Sequence, residues 1–274
     1  MRPRSGWPAR VPEREGAAAL LAAVAEVASL AGAEALARFG GALEVETKPD
    51  GSPVSEADRA AERVARAWIE ARFPADGIRG EELGTTRPDA KRQWLVDPVD
   101  GTRAFVKGVP LWGTLVAIVE GEQVLAGAAE FPALRTSLAA ACGAGCWWNG
   151  ARCAVSEVGT LAEATVLATD AGFAKTPERG RHWQALAARA GTARTWGDCY
   201  GYLLVATGRA ELMVDGSLSP WDAAAVQIAV EEAGGVFTDW RGRATSFGDG
   251  GIATNAVLAR TLRAALAVPD FAAL

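Results

Sequence analysis

Apolar residues recur at helical spacing through residues 17–39, the first patterned stretch of the chain. Glu34 lies four residues before Arg38, a spacing at which opposite charges pair on one helix face. Paired glycines at positions 40 and 41 end the pattern. Glutamates interrupt the apolar run, which is too short to cross a bilayer and lacks the features of a signal peptide. We therefore predict a soluble amphipathic helix, whose apolar face carries four residues: Leu20, Val24, Val27 and Ala31.

The next stretch, residues 43–73, predicts a short strand, a loop and a second helix. LEVET alternates between apolar and polar positions like a strand, and KPDGSP is typical of a turn. Ser55 has Asp58 three residues after it, which is the arrangement of a capping box, so we expect a helix to begin here. Pro74 ends this helix.

Residues 78–155 favour a sheet. Apolar runs at 94–96 and 111–119 predict strands, with a turn at Pro98–Gly101 between them. Glycine-punctuated strands and hairpins follow. Beyond residue 164 strands alternate with helices as far as the C-terminus. This succession predicts a layered mixed α/β (α+β) fold.

The order of these elements indicates one large domain rather than a string of modules. We expect a single domain over residues 1–274, in which an N-terminal α+β half (about 17–140) and a C-terminal α/β half (about 141–274) flank a cleft. Residues 1–16 have no readable role.

Two aspartates interrupt the apolar pattern in the segment WLVDPVDGT. Asp97 follows the buried-looking run Trp94–Val96 directly, and Asp100 comes only three residues later. An unpaired carboxylate is costly to bury. Either these aspartates lie at the exit of the strand, or a cation holds them.

Composition narrows the chemistry that such carboxylates can serve. The chain has 274 residues, is 50% hydrophobic and carries a net charge of −5, so it can bury a substantial core and has no basic excess for nucleic acid. Its one histidine, His182, argues against a multi-histidine zinc site and a Ser-His-Asp triad. The four cysteines fit small buried side chains better than a metal knuckle. Nothing demands disulfides, so we expect a cytoplasmic protein without a membrane or nucleic-acid partner.

Acidic residues recur wherever an apolar segment meets a turn or a helix start. Mg²⁺ takes oxygen ligands, few of them from protein carboxylates, and leaves positions for water and phosphate. In DPVDGT, the carbonyl of Val99 is placed to turn inward as a neutral ligand between the two aspartates. Gly101 allows a tight turn, and Thr102 starts a helix whose N–H groups face an anion. The acidic set comprises Asp58, Glu81, Glu82, Asp97, Asp100 and Asp222.

Each acidic signal also has an ordinary structural interpretation when it is taken alone. Asp222, before AAAVQIAVEEA, is typical of a helix N-cap, and Asp58 of an acidic first turn. Glu81 and Glu82 form a charged turn, and DPVDGT contains the usual turn residues. The conjunction of all four signals is what favours a metal site.

Several of these motifs together carry a resemblance to a known family. GEE, WLVDPVDGTRAFVKGVP and WDAAA, in that order, closely resemble the inositol monophosphatase-like family of Mg²⁺-dependent phosphomonoesterases. SPVSEAD upstream and EEAGGVFTDWRG downstream extend the resemblance over residues 48–255. It implies a layered αβαβα sandwich of the inositol monophosphatase/fructose-bisphosphatase type, a small phosphate monoester as substrate, and a homodimer.

The resemblance also implies how the metals are held. Glu81, Asp97 and the Val99 carbonyl match the ligands of a first Mg²⁺. Asp97, Asp100 and Asp222 match those of a second, with two or three ions in all.

Further residues match the catalytic and binding positions of that family. Thr102 and Asp58 match the pair that orients and activates the attacking water, with Glu81 beside them as a catalytic residue. Gly101 and Thr102 match the phosphate-binding turn. Metal-activated water would then attack phosphorus in line. Two supporting residues follow from the same resemblance: Glu82, next to a metal ligand, and Lys48, on a mobile active-site loop.

The flanking segments resemble the histidinol-phosphatase branch of the family most closely. The expected substrate-binding residues are Asp100, Gly197, Asp198 and Asp215. Asp215 matches a substrate-contacting acid of the family, whereas inositol-preferring relatives tend to carry a small uncharged residue where Asp198 lies. Extra carboxylates suit a cationic leaving alcohol, although capping of the following helix explains Asp198 almost as well. The leading hypothesis is hydrolysis of L-histidinol phosphate to L-histidinol and phosphate in histidine biosynthesis.

Other functions stay open at this point. The alternatives are an inositol-1-phosphate or broad sugar-phosphate phosphatase, and a non-catalytic metal- or phosphate-binding regulator on the same scaffold. The resemblance further implies sensitivity to Li⁺, which occupies a metal position in related enzymes.

Overall fold

The structure, a computed structural model, describes residues 16–41, 45–47 and 53–269. Lys48 lies outside these residues, so its predicted role stays a prediction. The described α-helices are α1 Ala17–Leu36, α2 Glu56–Arg72, α3 Thr102–Val106, α4 Pro177–Ala187, α5 Cys199–Ala206, α6 Pro220–Glu232 and α7 Ala259–Ala265. The described strands are β1 Val45–Thr47, β2 Pro53–Ser55, β3 Gly77–Gly80, β4 Gly84–Thr86, β5 Arg92–Asp100, β6 Gly113–Glu120, β7 Gln123–Phe131, β8 Thr136–Ala141, β9 Gly145–Trp148, β10 Ala151–Arg152, β11 Thr165–Ala168, β12 Thr192–Arg194, β13 Leu212–Asp215, β14 Val236–Thr238 and β15 Gly251–Thr254.

Two sheets organise the fold. The larger has eight strands in the order β10-β9-β8-β7-β6-β5-β3-β4, and only β3 and β5 pair in parallel among its neighbours. The smaller has five strands in the order β12-β11-β13-β15-β14. β1 and β2 form a separate two-stranded ribbon. The larger sheet extends to Arg152, so β9 and β10, which follow residue 141, still belong to it.

Helices and sheets alternate in five layers, as the αβαβα sandwich requires. α1 and α2 cover one face of the larger sheet, and α6 packs against its other face. α5 and α6 also contact the smaller sheet, which they separate from the larger one. α4 and α7 contact each other and complete the outer layer on the smaller sheet. The predicted fold class is confirmed.

Alternating side chains along the strands divide the larger sheet between two cores. Trp94 and Val96 of β5 pack in the core beneath α1 and α2, whereas Leu95 between them packs in the core around α5 and α6. Val116 and Leu115 of β6 divide in the same way. Since successive side chains of a strand point to opposite faces, both faces of these strands are apolar and buried.

The prediction that this apolar run is too short to cross a bilayer is wrong, because α1 is long and apolar enough to do so by length and composition. Half of its apolar window is nevertheless buried inside the fold. Leu20, Val24 and Val27 pack in the core between the larger sheet and the helices α1 and α2, together with Trp94 and Val96. Glu34 and Arg38 form the predicted ion pair at 2.7 Å. α1 is therefore a core helix of this domain, as its amphipathic pattern predicts.

The local structure of WLVDPVDGT differs from the predicted strand followed by a turn. β5 runs on to Asp100, which pairs with Gly113 of β6, and the register shifts between Asp97 and Asp100. Between these pairs, Pro98 and Val99 of β5 lie opposite the single residue Thr114 of β6, so β5 has one extra residue here, and both Pro98 and Val99 are buried. Proline cannot donate a ladder hydrogen bond, so a bulge accommodates it without ending the strand. The bulge therefore keeps Asp97 and Asp100 on one continuous strand.

Candidate active site

Strand pairing brings Glu81 and Asp97 to the same edge of the larger sheet. β3 and β5 run in parallel with Gly80 opposite Val96, so the residues that follow each of these positions emerge side by side. The Glu81 N–H donates to the Val96 carbonyl at 3.1 Å, which ties the Glu81 backbone to β5. Asp97 is buried and Glu81 half-buried.

Asp222 reaches this edge from α6, which packs on the face of the larger sheet away from α1 and α2. It is the third residue of α6, and its Oδ2 accepts from the Ser219 N–H at 2.8 Å. Ser219, not Asp222, is therefore the N-cap of α6, and Asp222 belongs to a capping box. Carboxylate oxygens of Glu81, Asp97 and Asp222 all lie within 4.8 Å of one another. The structure thus brings together three acids that are far apart in the sequence.

Asp100 extends the acidic edge toward α5. Its Oδ2 accepts from the Cys199 N–H at 2.5 Å, at the first residue of that helix. A helix N-terminus favours a negative group, which helps to hold this carboxylate in place.

The electrostatics of the cluster favour a cation. Burial raises the pKa of Asp97 well above its ordinary value, and the neighbouring carboxylates, Glu81 first, raise it further. Burial likewise raises the pKa of Asp100, with repulsion from Asp198 next in size. The pKa of Asp222 is raised to about 7, again chiefly by burial. Acids that repel one another in this way, and that offer only oxygen donors, fit a hard divalent cation such as Mg²⁺.

Backbone carbonyls of the β5 bulge point to separate partners. The Pro98 carbonyl accepts from the Thr114 hydroxyl at 2.7 Å in the interior of the sheet. The Val99 carbonyl accepts from the Thr102 hydroxyl at 2.9 Å. Because a carbonyl oxygen has two lone pairs, the Val99 carbonyl keeps one for another partner. Its predicted role as a neutral metal ligand stays a prediction.

Thr102 and Asp58 meet at this edge as predicted. The Thr102 Oγ1 lies 3.5 Å from Asp58 Oδ1, across 44 residues of sequence. The other oxygen of Asp58 accepts from both the N–H and the hydroxyl of Ser55, at 2.9 and 2.6 Å. This is the predicted capping box at the start of α2. Burial, the largest influence, raises the pKa of Asp58, and the bonds from Ser55 oppose it.

Gly101 provides the turn between the strand and α3. Its φ is +87°, in the left-handed region, and a Cβ there would lie 2.9 Å from the Leu111 carbonyl oxygen. Both the backbone conformation and the close approach therefore require glycine. α3 begins at Thr102, as the sequence predicts.

Asp198 lies on the other side of Gly101. It occupies the N-cap position of α5, yet its side chain makes no capping hydrogen bond. Its Oδ2 is 3.3 Å from the position a Cβ of Gly101 would take. Its φ of +51° is uncommon for a residue with a side chain, and its N–H donates to the Thr169 hydroxyl at 2.7 Å. Gly197 packs so closely on Thr169 that a Cβ would lie 2.4 Å from the Thr169 Cα.

Asp215 ends β13 close to Asp198. The Tyr202 hydroxyl donates to its carboxylate at 2.9 Å, and the Trp240 indole N–H donates to its carbonyl at 2.8 Å. Burial raises the pKa of Asp215 to about 6. The pKa of Asp198 is raised to about 7 by burial and then by repulsion from Asp215, while Arg103 opposes the shift.

Sequence reasoning missed some of the residues that position these acids. Tyr202, Thr169 and Cys199 each hold an acidic residue through a hydrogen bond. They lie in apolar or small-residue segments that carry no motif of their own. Glu82 touches the neighbouring structure through its backbone, since its N–H donates to Glu62 at 2.7 Å.

Comparisons with known proteins identify the family. The model of the inositol monophosphatase family matches residues 17–269. A histidinol-phosphatase of Chlorobaculum parvum is 44% identical over 244 residues, 88% of this chain and 94% of that protein. A histidinol-phosphatase of Mycobacterium tuberculosis is 39% identical over 228 residues, 81% of this chain and 87% of that protein. A solved structure, an inositol monophosphatase from Zymomonas mobilis, has a TM-score of 0.81 at 31% identity and covers 90% of this chain and 97% of that one. The chain belongs to the inositol monophosphatase family.

Proposed function

We propose that this chain is a Mg²⁺-dependent phosphomonoesterase whose substrate is L-histidinol phosphate. The products are L-histidinol and phosphate, a reaction of histidine biosynthesis in the cytoplasm. Family membership supports the reaction class, and the similarity to two proteins named histidinol-phosphatase supports the substrate.

The acidic edge of the larger sheet is the proposed metal site. Glu81, Asp97 and the Val99 carbonyl would hold one ion, and Asp97, Asp100 and Asp222 a second, with two or three ions in total. The fit of the three clustered carboxylates, within 4.8 Å of one another, supports this assignment. Bound Mg²⁺ supplies Lewis-acid chemistry, because it neutralises phosphate charge and makes water a stronger nucleophile near neutral pH.

Protein groups orient the water and the phosphate. The Thr102 hydroxyl lies between Asp58 and the Val99 carbonyl, and it can turn from the carbonyl toward the carboxylate. In that orientation it would pass its proton to Asp58 as it accepts one from water. Gly101 and Thr102 form the turn against which the phosphate would lie. Glu81 holds its oxygen close to Asp97 on the same edge, so that the reacting groups are fixed before substrate arrives.

The observation that carries the substrate assignment is the position of Asp198. Its carboxylate does not cap α5 but lies over Gly101, beside the proposed phosphate-binding turn. Asp215 adds a second carboxylate nearby. A leaving alcohol with an ammonium group and an imidazole would neutralise both. A neutral polyol would leave them repelling each other, which is unfavourable in a partly buried site.

The quaternary structure and the response to Li⁺ are part of the same proposal. We expect a homodimer, as the family resemblance implies, and light scattering of the purified chain measures it. Inhibition by Li⁺ is expected because a monovalent ion at a metal position cannot replace the charge of Mg²⁺.

A substrate panel tests the proposed function. With saturating Mg²⁺, kcat/KM for L-histidinol phosphate should exceed that for myo-inositol 1-phosphate and for sugar phosphates. A clear preference for inositol phosphate would overturn the substrate assignment. Asp97→Asn should abolish phosphate release from every substrate, and unchanged turnover would refute the metal assignment.

A further inference from the structure

A buried carboxylate stands behind the loop that carries Glu81. Glu62 of α2 is 0% exposed. Its carboxylate accepts from the N–H groups of Glu82, at 2.7 Å, and Leu83, at 3.2 Å. It also accepts from Nε of Arg66 at 2.7 Å, four residues along the same helix. Backbone N–H groups and a guanidinium thus satisfy a charge that would otherwise be costly to bury.

The chain makes room for this carboxylate at Gly80, the last residue of β3. A Cβ at Gly80 would lie 1.9 Å from Glu62 Oε1, far inside contact distance. Gly80 does not have a positive φ. Glycine is therefore needed here for the close approach of Glu62 and not for an unusual backbone conformation.

The same loop is held at two further points. A terminal nitrogen of Arg66 donates to the Gly84 carbonyl, at the far end of the loop. On the opposite side, the Glu81 N–H donates to the Val96 carbonyl of β5. Residues 80–84 are therefore fastened to α2 and to β5 at once, and these contacts fix the backbone of Glu81 and of the residue that follows it.

One face of α2 connects this loop to the residues proposed to handle the proton. Asp58, Glu62 and Arg66 follow one another at intervals of four, so they share a face of the helix. Asp58 is fixed by Ser55 at the helix start and approaches Thr102. α2 consequently sets where the Glu81 loop stands relative to Asp58.

We propose that Glu62 is a positioning residue that aims Glu81 at Asp97 and Asp222 and thereby sets the affinity for Mg²⁺. The inference rests on the proposed metal site, to which Glu62 contributes no ligand atom. Partners that orient metal ligands typically change metal affinity or activity by about 10–100-fold when they are replaced.

Glu62→Gln is the most conservative test. A glutamine keeps the size of the side chain, but its amide N–H₂ must face either the Glu82 N–H or the Arg66 Nε–H, which are both donors. The loop contact should loosen without leaving a cavity. We expect the Mg²⁺ dissociation constant, obtained from the rise in Tm during a Mg²⁺ titration, to increase about 10-fold or more.

Glu211→Gln is the matched control. Glu211 is also buried, 4% exposed, and accepts from the Thr165 N–H and the Ser156 hydroxyl, but it stands at the start of β13, at the end opposite Asp215. The Glu211→Gln variant should have a lower Tm than wild type in the absence of Mg²⁺ and an unchanged Mg²⁺ dissociation constant. A purely structural role for Glu62 would make the two variants behave alike.

Gly80→Ala displaces the same carboxylate without replacing it, so it carries the test if Glu62→Gln does not fold. It too should weaken Mg²⁺ binding. A wild-type chain whose Tm does not respond to Mg²⁺ would overturn the proposed metal site itself. If the Tm of the wild type rises with Mg²⁺, and a folded Glu62→Gln or Gly80→Ala variant binds Mg²⁺ as tightly as the wild type, only the positioning role of Glu62 would be overturned.

Discussion

Replacing Asp198 with asparagine removes one charge from the proposed alcohol side of the site and keeps the shape of the side chain. Two unit charges about 4 Å apart interact by ~4 kcal/mol at an effective dielectric constant of ~20, which is an upper bound for a half-buried residue. A hydrogen bond to a charged group contributes about 1.5–3 kcal/mol. The hydrogen-bond range, and not the larger Coulomb figure, applies here because Asp198 is only half-buried. We expect kcat/KM for L-histidinol phosphate to fall about 10–100-fold, at ~1.4 kcal/mol per factor of ten.

The comparison of two substrates separates this effect from damage to the metal site. For myo-inositol 1-phosphate, which has no cationic group in its alcohol, Asp198→Asn should leave kcat/KM unchanged or raise it. Glu163→Gln removes the same charge from an exposed residue that precedes β11, and it should leave the ratio of the two kcat/KM values unaltered. Equal losses on both substrates in Asp198→Asn would refute recognition of the cationic alcohol by this carboxylate.

Three further predictions concern catalysis, metal exchange and the core. Thr102→Ala should lower kcat about 10²–10⁴-fold because the hydroxyl between Asp58 and Val99 is lost, and a kcat within a factor of two of wild type in a phosphate-release assay would exclude a role in proton transfer. LiCl should inhibit phosphate release at fixed Mg²⁺, and a flat titration into high concentrations would count against the shared metal position. Trp94→Ala should cost about 3–5 kcal/mol of unfolding free energy in a denaturant titration, since Trp94 is 0% exposed and packs on Phe73; a cost below ~1 kcal/mol would contradict its place as the anchor of β5.

Local pattern was sufficient to predict the elements whose start and end are encoded by nearby residues. The capping box of Ser55 and Asp58 marks the start of α2 correctly, and the glycines at 234 and 235 follow the end of α6. These signals act through hydrogen bonds and backbone conformation within a few residues, so a single sequence contains them in full.

The β5 bulge could not be predicted because its cause lies in another strand. Pro98 is usually a turn signal, yet β6 pairs with Asp97 and again with Asp100, and the Thr114 hydroxyl holds the intervening carbonyl. Tertiary pairing here overrides the local preference for a turn.

In the site, the local sequence likewise does not reveal the tertiary contacts of Glu62. Its spacing to Arg66 is typical of an exposed ion pair on a helix surface, and only the fold reveals that the carboxylate is buried against the Glu81 loop. For Asp198, the local sequence predicts a contact that the structure does not form. Its position before a helix is typical of a cap, and only the structure excludes a capping bond from its side chain.

Diffraction at a wavelength where Mn²⁺ scatters anomalously, from crystals equilibrated with Mn²⁺, would show directly whether the acidic edge of the larger sheet binds a divalent cation. Mn²⁺ accepts the same oxygen ligands as Mg²⁺. We predict an anomalous peak bounded by the carboxylates of Glu81, Asp97 and Asp222, whose oxygens lie within 4.8 Å of one another. Saturating Mn²⁺ with no peak among these three residues would contradict this prediction.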